Sequence, residues 1–232
     1  MGPAPAPFAP WGPDHLAVLV LTAAASAALA AGRDRLRGRD DRRIRRAAAV
    51  ALAANDLAAW LIAAAQGTFR VPLQLCDLTL VLMVWALWSA RPVPATLAYF
   101  WALAGSLQAV LTPDLAWGFP DYWWVKFFIS HCGMVLSAVY LAATGRVAAS
   151  HGWVWRAFAL VNAYAASAGL VNWLFGTNLG YLARKPAQPS LLDWFGPWPW
   201  YILVMEAAAL ASFYAWYAPF ALARHRAVRR IG

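Results

Sequence analysis

Charge is scarce in this chain, and acidic charge is the scarcer sign. Only 12% of its 232 residues are charged, 10 of them Asp or Glu against 19 Lys or Arg. An ordinary soluble domain carries roughly 25% charged residues, so a water-facing globular surface is excluded. Cysteine is nearly absent: the two thiols, Cys76 and Cys132, lie inside apolar segments and cannot form a disulfide framework. No basic residue precedes the first apolar run and an arginine-rich stretch follows it, the reverse of a signal peptide's charge order. The net charge of +9 would suit a nucleic-acid partner, but no Phe, Tyr or Trp interleaves with the basic clusters to stack on bases. Nucleic acid is therefore not expected, and contact with anionic lipid is.

What is present is apolar. Hydrophobic residues make up 62% of the chain, 15 of them Trp, in runs of about 18 to 22 residues. Such runs are long enough to cross a hydrocarbon core roughly 30 Å thick. The expected fold is all-α, a polytopic membrane bundle of seven transmembrane helices at about residues 14–31, 47–66, 73–90, 95–111, 123–144, 153–175 and 198–222. Residues 1–13, rich in Pro and Ala and uncharged, are expected to form a poorly ordered leader. Residues 14–222 form the membrane domain and 223–232 a basic cytoplasmic tail. Asp14 is expected to cap the first helix, and Pro72 to open the third at its first helical position.

Basic residues set the orientation. With the N-terminus outside and the C-terminus in the cytoplasm, fifteen basic residues lie inside, eight of them in Arg33–Arg46, and four lie outside: Arg70, Lys126, Arg184 and Lys185. That asymmetry follows the positive-inside rule. Trp11, Trp117, Trp123, Trp124, Trp194, Trp198 and Trp200 then form an outer interfacial belt.

This topology gathers the polar residues into one outer layer: Asp14, His15, Gln66, Cys76, Asp77, Gln108, Thr112, His131, Asn172, Asn178 and Glu206. The inner halves of most spans read as plain Ala, Leu and Val. Steps of three and four residues put Trp101, Gly105, Gln108 and Thr112 on one face of the fourth span. Asn162 and Asn172 share a face of the sixth, and Asn55 and Gln66 a face of the second. Such faces turn inward and glue helices together.

Cys76 and His131 stand out within that layer. A thiol reacts as thiolate. Cys76 sits near the start of its helix, where the backbone dipole favours negative charge. His131 is at similar depth to accept its proton, with Asp77 or Glu206 to orient the imidazole. Three other readings stay open: a small core hydrophobe, a Cys76–Cys132 disulfide, and a Cys/Asp/His metal site. No cofactor is expected. Arg184-Lys185-Pro186 is either an interfacial anchor or a clamp for phospholipid phosphate.

Several strings resemble the YwaF-like family of bacterial integral membrane proteins. They include Gly12-Pro13-Asp14-His15-Leu16, Pro72-Leu73-Gln74-Leu75-Cys76-Asp77, Gln108-Ala109-Val110-Leu111-Thr112-Pro113-Asp114, Asn172-Trp173, Arg184-Lys185-Pro186 and Gly196-Pro197-Trp198-Pro199-Trp200-Tyr201. That family is similar to the eukaryotic transmembrane protein 164 acyltransferase family, in which a cysteine and a histidine are taken as the catalytic pair. The resemblance implies a multi-pass protein of the bacterial cell membrane, with Cys76 and His131 where that pair would lie. The chain departs from the pattern at Gln74, where many YwaF-like members carry histidine.

Two functions follow as expectations. The first is a phospholipid acyltransferase with a thioester intermediate on Cys76, His131 as base, and Asn172, Gln108 or Thr112 as oxyanion donors. The second is a non-enzymatic protein that binds or transports a small solute or lipid through the outer polar vestibule. A purely structural or assembly role is a third. Membrane phospholipids are the expected partners.

Overall fold

A computed structural model describes residues 6–229. The first five residues of the expected leader and residues 230–232 of the expected tail lie outside the described residues. Within them the chain is all-helical, and an isolated β-bridge joins Pro7 to Trp117. The helices are α1 (Pro13–Ala31), α2 (Arg33–Leu36), α3 (Arg42–Ala65), α4 (Leu75–Ser89), α5 (Pro92–Trp101), α6 (Leu107–Leu111), α7 (Tyr122–Ala143), α8 (His151–Phe175) and α9 (Trp200–Val228). A π-turn, Ala102–Ser106, joins α5 to α6 as one helix, Pro92–Leu111. Among the described residues, six helices are long and apolar enough to cross a membrane: α1, α3, α5–α6, α7, α8 and α9. The 15 residues of α4 span only about 22 Å at 1.5 Å per residue.

Helix starts differ from expectation where a local cap competes. The first helix opens at Pro13 behind Gly12, so Asp14 falls in its first turn instead of capping it. Proline's fixed φ suits that position and its missing N–H costs nothing there. Pro72 does not open α4. The Asp77 carboxylate accepts the backbone N–H of Gln74 at 2.9 Å, which sets Gln74 as the cap and leaves Pro72 and Leu73 outside the helix. The π-turn adds one residue to its turn, rotating the later residues of the helix by about 100° relative to a straight helix. It therefore breaks the single face expected for Trp101, Gly105, Gln108 and Thr112.

Hydrogen bonds between helix ends show that the helices alternate in direction. At one face, buried His15 of α1 bridges to the Val110 carbonyl of α6 at 2.8 Å. There too, Tyr181 just after α8 donates to Asp114 just past α6 at 3.0 Å. At the opposite face, Arg146 after α7 reaches Asp41 before α3 at 2.8 Å, and Arg45 of α3 donates to the Leu87 carbonyl of α4. The α5–α6 helix and α7 form the centre. In their apolar stretches 67% and 50% of residues are buried in the protein, against 6% in α1 and 11% in α8 and α9. Met83, Ala86, Leu87, Phe100, Met134 and Leu141 lock α4, α5 and α7 into one core. The outer helices leave their apolar surface for lipid, as a membrane solvent permits.

The N-terminal segment is tied down from residue 6 onward. Phe8 N–H donates to the Ala116 carbonyl at 3.1 Å, and its ring packs with Val110, Leu115, Trp124 and Phe128. Trp124, expected in the interfacial belt, is buried in that cluster, whereas Trp11, Trp117, Trp123, Trp194, Trp198 and Trp200 are exposed.

Candidate functional site

Cys76 is the second residue of α4, half-buried and free, and Cys132 is free as well. The segment above Cys76 is the 176–197 connection, which folds down onto the start of α4. Its anchor is Asn172, buried at the end of α8. The Asn172 amide oxygen accepts from Thr177 Oγ1 and from the Leu179 N–H, each at 2.7 Å, and its amide nitrogen donates to the Leu179 carbonyl at 3.0 Å. The turn that results brings the Gly180 N–H to Gln74 Oε1 at 2.9 Å. Gly180 has φ +63°, a left-handed backbone conformation that favours glycine. Tyr181 donates to Asp114 at 3.0 Å. Burial, that carboxylate and the nearby Cys76 all push the Tyr181 hydroxyl above its ordinary pKa. Gln74, the departure from the resembled pattern, is thus the residue that fastens this cap to α4.

His131 is buried on α7, which packs directly against α4. Its Nδ1 lies 2.9 Å from the Phe127 carbonyl, and its ring stacks on Phe127 at 4.1 Å. A carbonyl can only accept, so Nδ1 carries the proton, and in the neutral ring Nε2 is the nitrogen left as a base. Orientation therefore comes from His131's own helix. Asp77 is engaged with Gln74 N–H, and Glu206 accepts from Asn162 at 2.8 Å between α8 and α9. No hydrogen bond joins Cys76 to His131 among the described residues. Gln108 and Thr112 bond to one another, Nε2 to Oγ1 at 3.1 Å. Lys185 lies 3.4 Å from the Asp193 carbonyl and 5.7 Å from the Tyr201 ring centroid, whereas the Arg184 side chain is exposed. Among the described residues, no three His, Cys, Asp or Glu side chains gather as a metal site.

The strongest polar feature here was not expected. Asp56 of α3, buried to 4% side-chain exposure, pairs with Lys126 of α7 at 2.6 Å. Ser130 donates to the same carboxylate at 2.6 Å, and Asn55 donates to Ser130 Oγ at 2.8 Å and to the Lys126 carbonyl at 3.1 Å. Lys126 is thus neutralised within the bundle instead of standing free at the outer interface. The signal was in the sequence: Asp56 is the lone carboxylate within its apolar span, and hydrocarbon makes such a group a functional candidate.

A second cluster lies at the opposite end of α3, in segments expected to be basic cytoplasmic loops. Asp41 is buried and accepts from Arg45 at 2.9 Å, Arg146 at 2.8 Å and Tyr140 at 2.5 Å. Burial works against the Asp41 anion, but the Tyr140 hydrogen bond and the two arginines outweigh it and hold the carboxyl below its ordinary value of 3.8.

Fold and site together define a helical, multi-pass membrane protein with a free thiol and an Nδ1-protonated imidazole on two packed helices. The chain belongs to the TMEM164 family, whose model matches residues 10–217. No curated protein and no solved structure matches it.

Proposed function

We propose that this protein is a membrane-embedded phospholipid acyltransferase that works through Cys76 and His131 at the outer face of a seven-span bundle. The observation that carries the proposal is the fixed tautomer of His131, with Nε2 left as a free base on a helix packed against the one that bears the thiol. In the first half-reaction Nε2 takes the thiol proton and the sulfur attacks a phospholipid ester carbonyl. The tetrahedral oxyanion collapses to a thioester and expels the lysolipid alkoxide, which takes the proton from the imidazolium. In the second half, Nε2 takes the proton of an acceptor lysolipid hydroxyl, whose oxygen attacks the thioester. Collapse then returns a new ester and the cysteine, reprotonated from His131. Exposed Arg184 is suited to a headgroup phosphate.

α4 serves as the seventh span. Thr79, Leu80, Met83, Ala86 and Leu87 are buried against protein, so its length need not match the lipid thickness. The charge asymmetry supports an outer N-terminus and a cytoplasmic C-terminus in a cell membrane.

The test is Cys76→Ser and His131→Ala in the full chain, with lipid profiling and a search for an acyl adduct on Cys76. Wild type is expected to carry the adduct, and each variant to lose both adduct and turnover. Unchanged lipid profiles with no adduct on wild-type Cys76 sink the proposal. Polar clusters at both ends of the α3–α7 interface favour the alternative of solute or lipid transport. Uptake or lipid flipping in liposomes that survives loss of both Cys76 and His131 would establish it.

A further inference from the structure

At the end of the bundle away from Cys76, two grooves run into one another. The first is apolar, with Leu29 of α1 and Ile44 and Ala48 of α3 as its walls and Leu136 of α7 as its floor. The second is polar and opens past the helix ends, lined by Leu36, Arg39, Asp40 and Asp41. Ile44 and Tyr140 line both, so the two form one trough. Leu87, which also lines the apolar groove, lies about 16 Å along α4 from Cys76 at 1.5 Å per residue.

The topology makes this trough. Among the described residues α1 and α3 each pack along α7 but make no comparable contact with one another, which leaves a furrow between them. Ile44 stands 64% exposed at its edge. At that depth a membrane supplies acyl chains to cover such a surface. Where the grooves meet, the floor is pinned, because Tyr140 and Arg45 both donate to Asp41.

The polar mouth is cationic. Asp41 is shared by Arg45 at 2.9 Å and Arg146 at 2.8 Å, so that cluster keeps one positive charge. Arg37 donates Nε to the Ala143 carbonyl at 3.2 Å, about one turn beyond Tyr140, and is otherwise exposed. Arg39 is exposed too, and among the described residues neither arginine forms an ion pair. The opposing group is exposed Asp40, whose carboxylate accepts the Arg42 N–H at 3.2 Å. Arg37, Arg39, Arg45 and Arg146 against Asp40 and Asp41 leave two positive charges at the mouth.

We infer that this trough seats an anionic phospholipid of the leaflet at this face. One acyl chain lies along Ile44, Ala48 and Leu136 between α1 and α3, and the headgroup phosphate sits between Arg37 and Arg39. A guanidinium presents its N–H groups in a fork that matches phosphate oxygens in pairs. The surplus positive charge selects a lipid of net negative charge over a zwitterionic one, whose cationic end would meet the same arginines. Bound there, the lipid wedges α1 against α3 where protein contact is sparse. The site is remote from Cys76 and stands apart from the acyltransferase reading.

The test uses the full chain with Ile44→p-benzoylphenylalanine, in nanodiscs of phosphatidylcholine and phosphatidylglycerol. After irradiation, the mass of the captured adduct identifies the occupant. Phosphatidylglycerol is expected in excess of its share of the bilayer. Arg37→Gln/Arg39→Gln is expected to lower that excess about fivefold for each arginine that the phosphate engages. Arg226→Gln is expected to leave it unchanged: it lies near the end of α9 at the same face, where Arg224 donates to the Ala149 carbonyl at 2.9 Å. Capture in proportion to the bilayer, an equal fall in Arg226→Gln, or cross-links to a second copy of the chain overturns the inference. A second readout needs no photoprobe. In detergent, added phosphatidylglycerol is expected to raise the unfolding midpoint more than phosphatidylcholine does, and Arg37→Gln/Arg39→Gln to erase the difference. Equal midpoints of the wild-type chain with either lipid overturn it as well.

Discussion

Gly133 decides how closely α3 and α7 can approach. A Cβ built there would lie 2.7 Å from Leu52 Cδ2, well inside van der Waals contact, and Leu52 is itself buried in the core. Gly133→Ala must therefore either displace Leu52 from its rotamer or push the helices apart. Overpacking of this kind costs about 1–3 kcal/mol. Leu52→Ala alone opens a cavity and costs about 2–5 kcal/mol. In the double variant the added methyl enters the space that Leu52 vacates, so the two costs should fall short of their sum by about 1–2 kcal/mol. The assay is thermal unfolding of the four proteins in one detergent, where each kcal/mol corresponds to about 2–4 °C for a chain of this size. The same displacement would strain the Asp56–Lys126–Ser130 contacts, because both sets bridge α3 and α7. Gly133→Ala as stable as wild type, or a double variant that loses the full sum, would refute the close-packing argument.

Two further outcomes rest on the opposite end of the bundle and on the chain's direction. Because the folded Asp41 carboxyl titrates below its ordinary value, its contribution to stability is present above about pH 4 and is lost as pH falls through the folded value. Melting curves between about pH 5 and pH 2.5 should therefore steepen downward in wild type. They should flatten in Asp41→Asn, and parallel curves would contradict the assignment. The proposed orientation predicts that a cysteine introduced at Arg91 in intact cells is shielded from membrane-impermeant maleimide, while one introduced at Ala187 is labelled. The reverse pattern would invert the bundle.

Much of the architecture was legible because hydrocarbon is a demanding solvent. Long apolar runs must be helices when no water is present to satisfy the backbone. The boundaries of α3, α7 and α8 accordingly fall within a few residues of the sequence reading, apart from the start of α3. That helix begins at Arg42, five residues before the expected Ala47, because a helix ladder does not end where hydropathy does. Helix starts depart from the sequence reading where a nearby side chain or an adjacent proline sets the cap, as Asp77 does at Gln74 and Pro13 does at Gly12.

Side-chain pairing was less legible. Lys126 counts as an outer charge when basic residues are summed along the chain, and only the approach of α3 reveals Asp56 as its partner. Asp41 and Arg146, 105 residues apart, are likewise joined only when α7 returns to the start of α3. Asn172, expected as an oxyanion donor, has its carboxamide engaged in shaping the 177–179 turn. The same polar residues also glue helices, so their type and spacing could not assign partners.

By itself, then, the sequence determined a helical membrane protein and a thiol and imidazole worth attention, because composition and run length act locally. The tertiary structure alone decided which nitrogen of His131 is free, which segment folds onto the start of α4, and that Lys126 pairs with Asp56 inside the bundle. Those depend on contacts between helices far apart in the chain, and a distance of a few ångströms has no signature in one dimension.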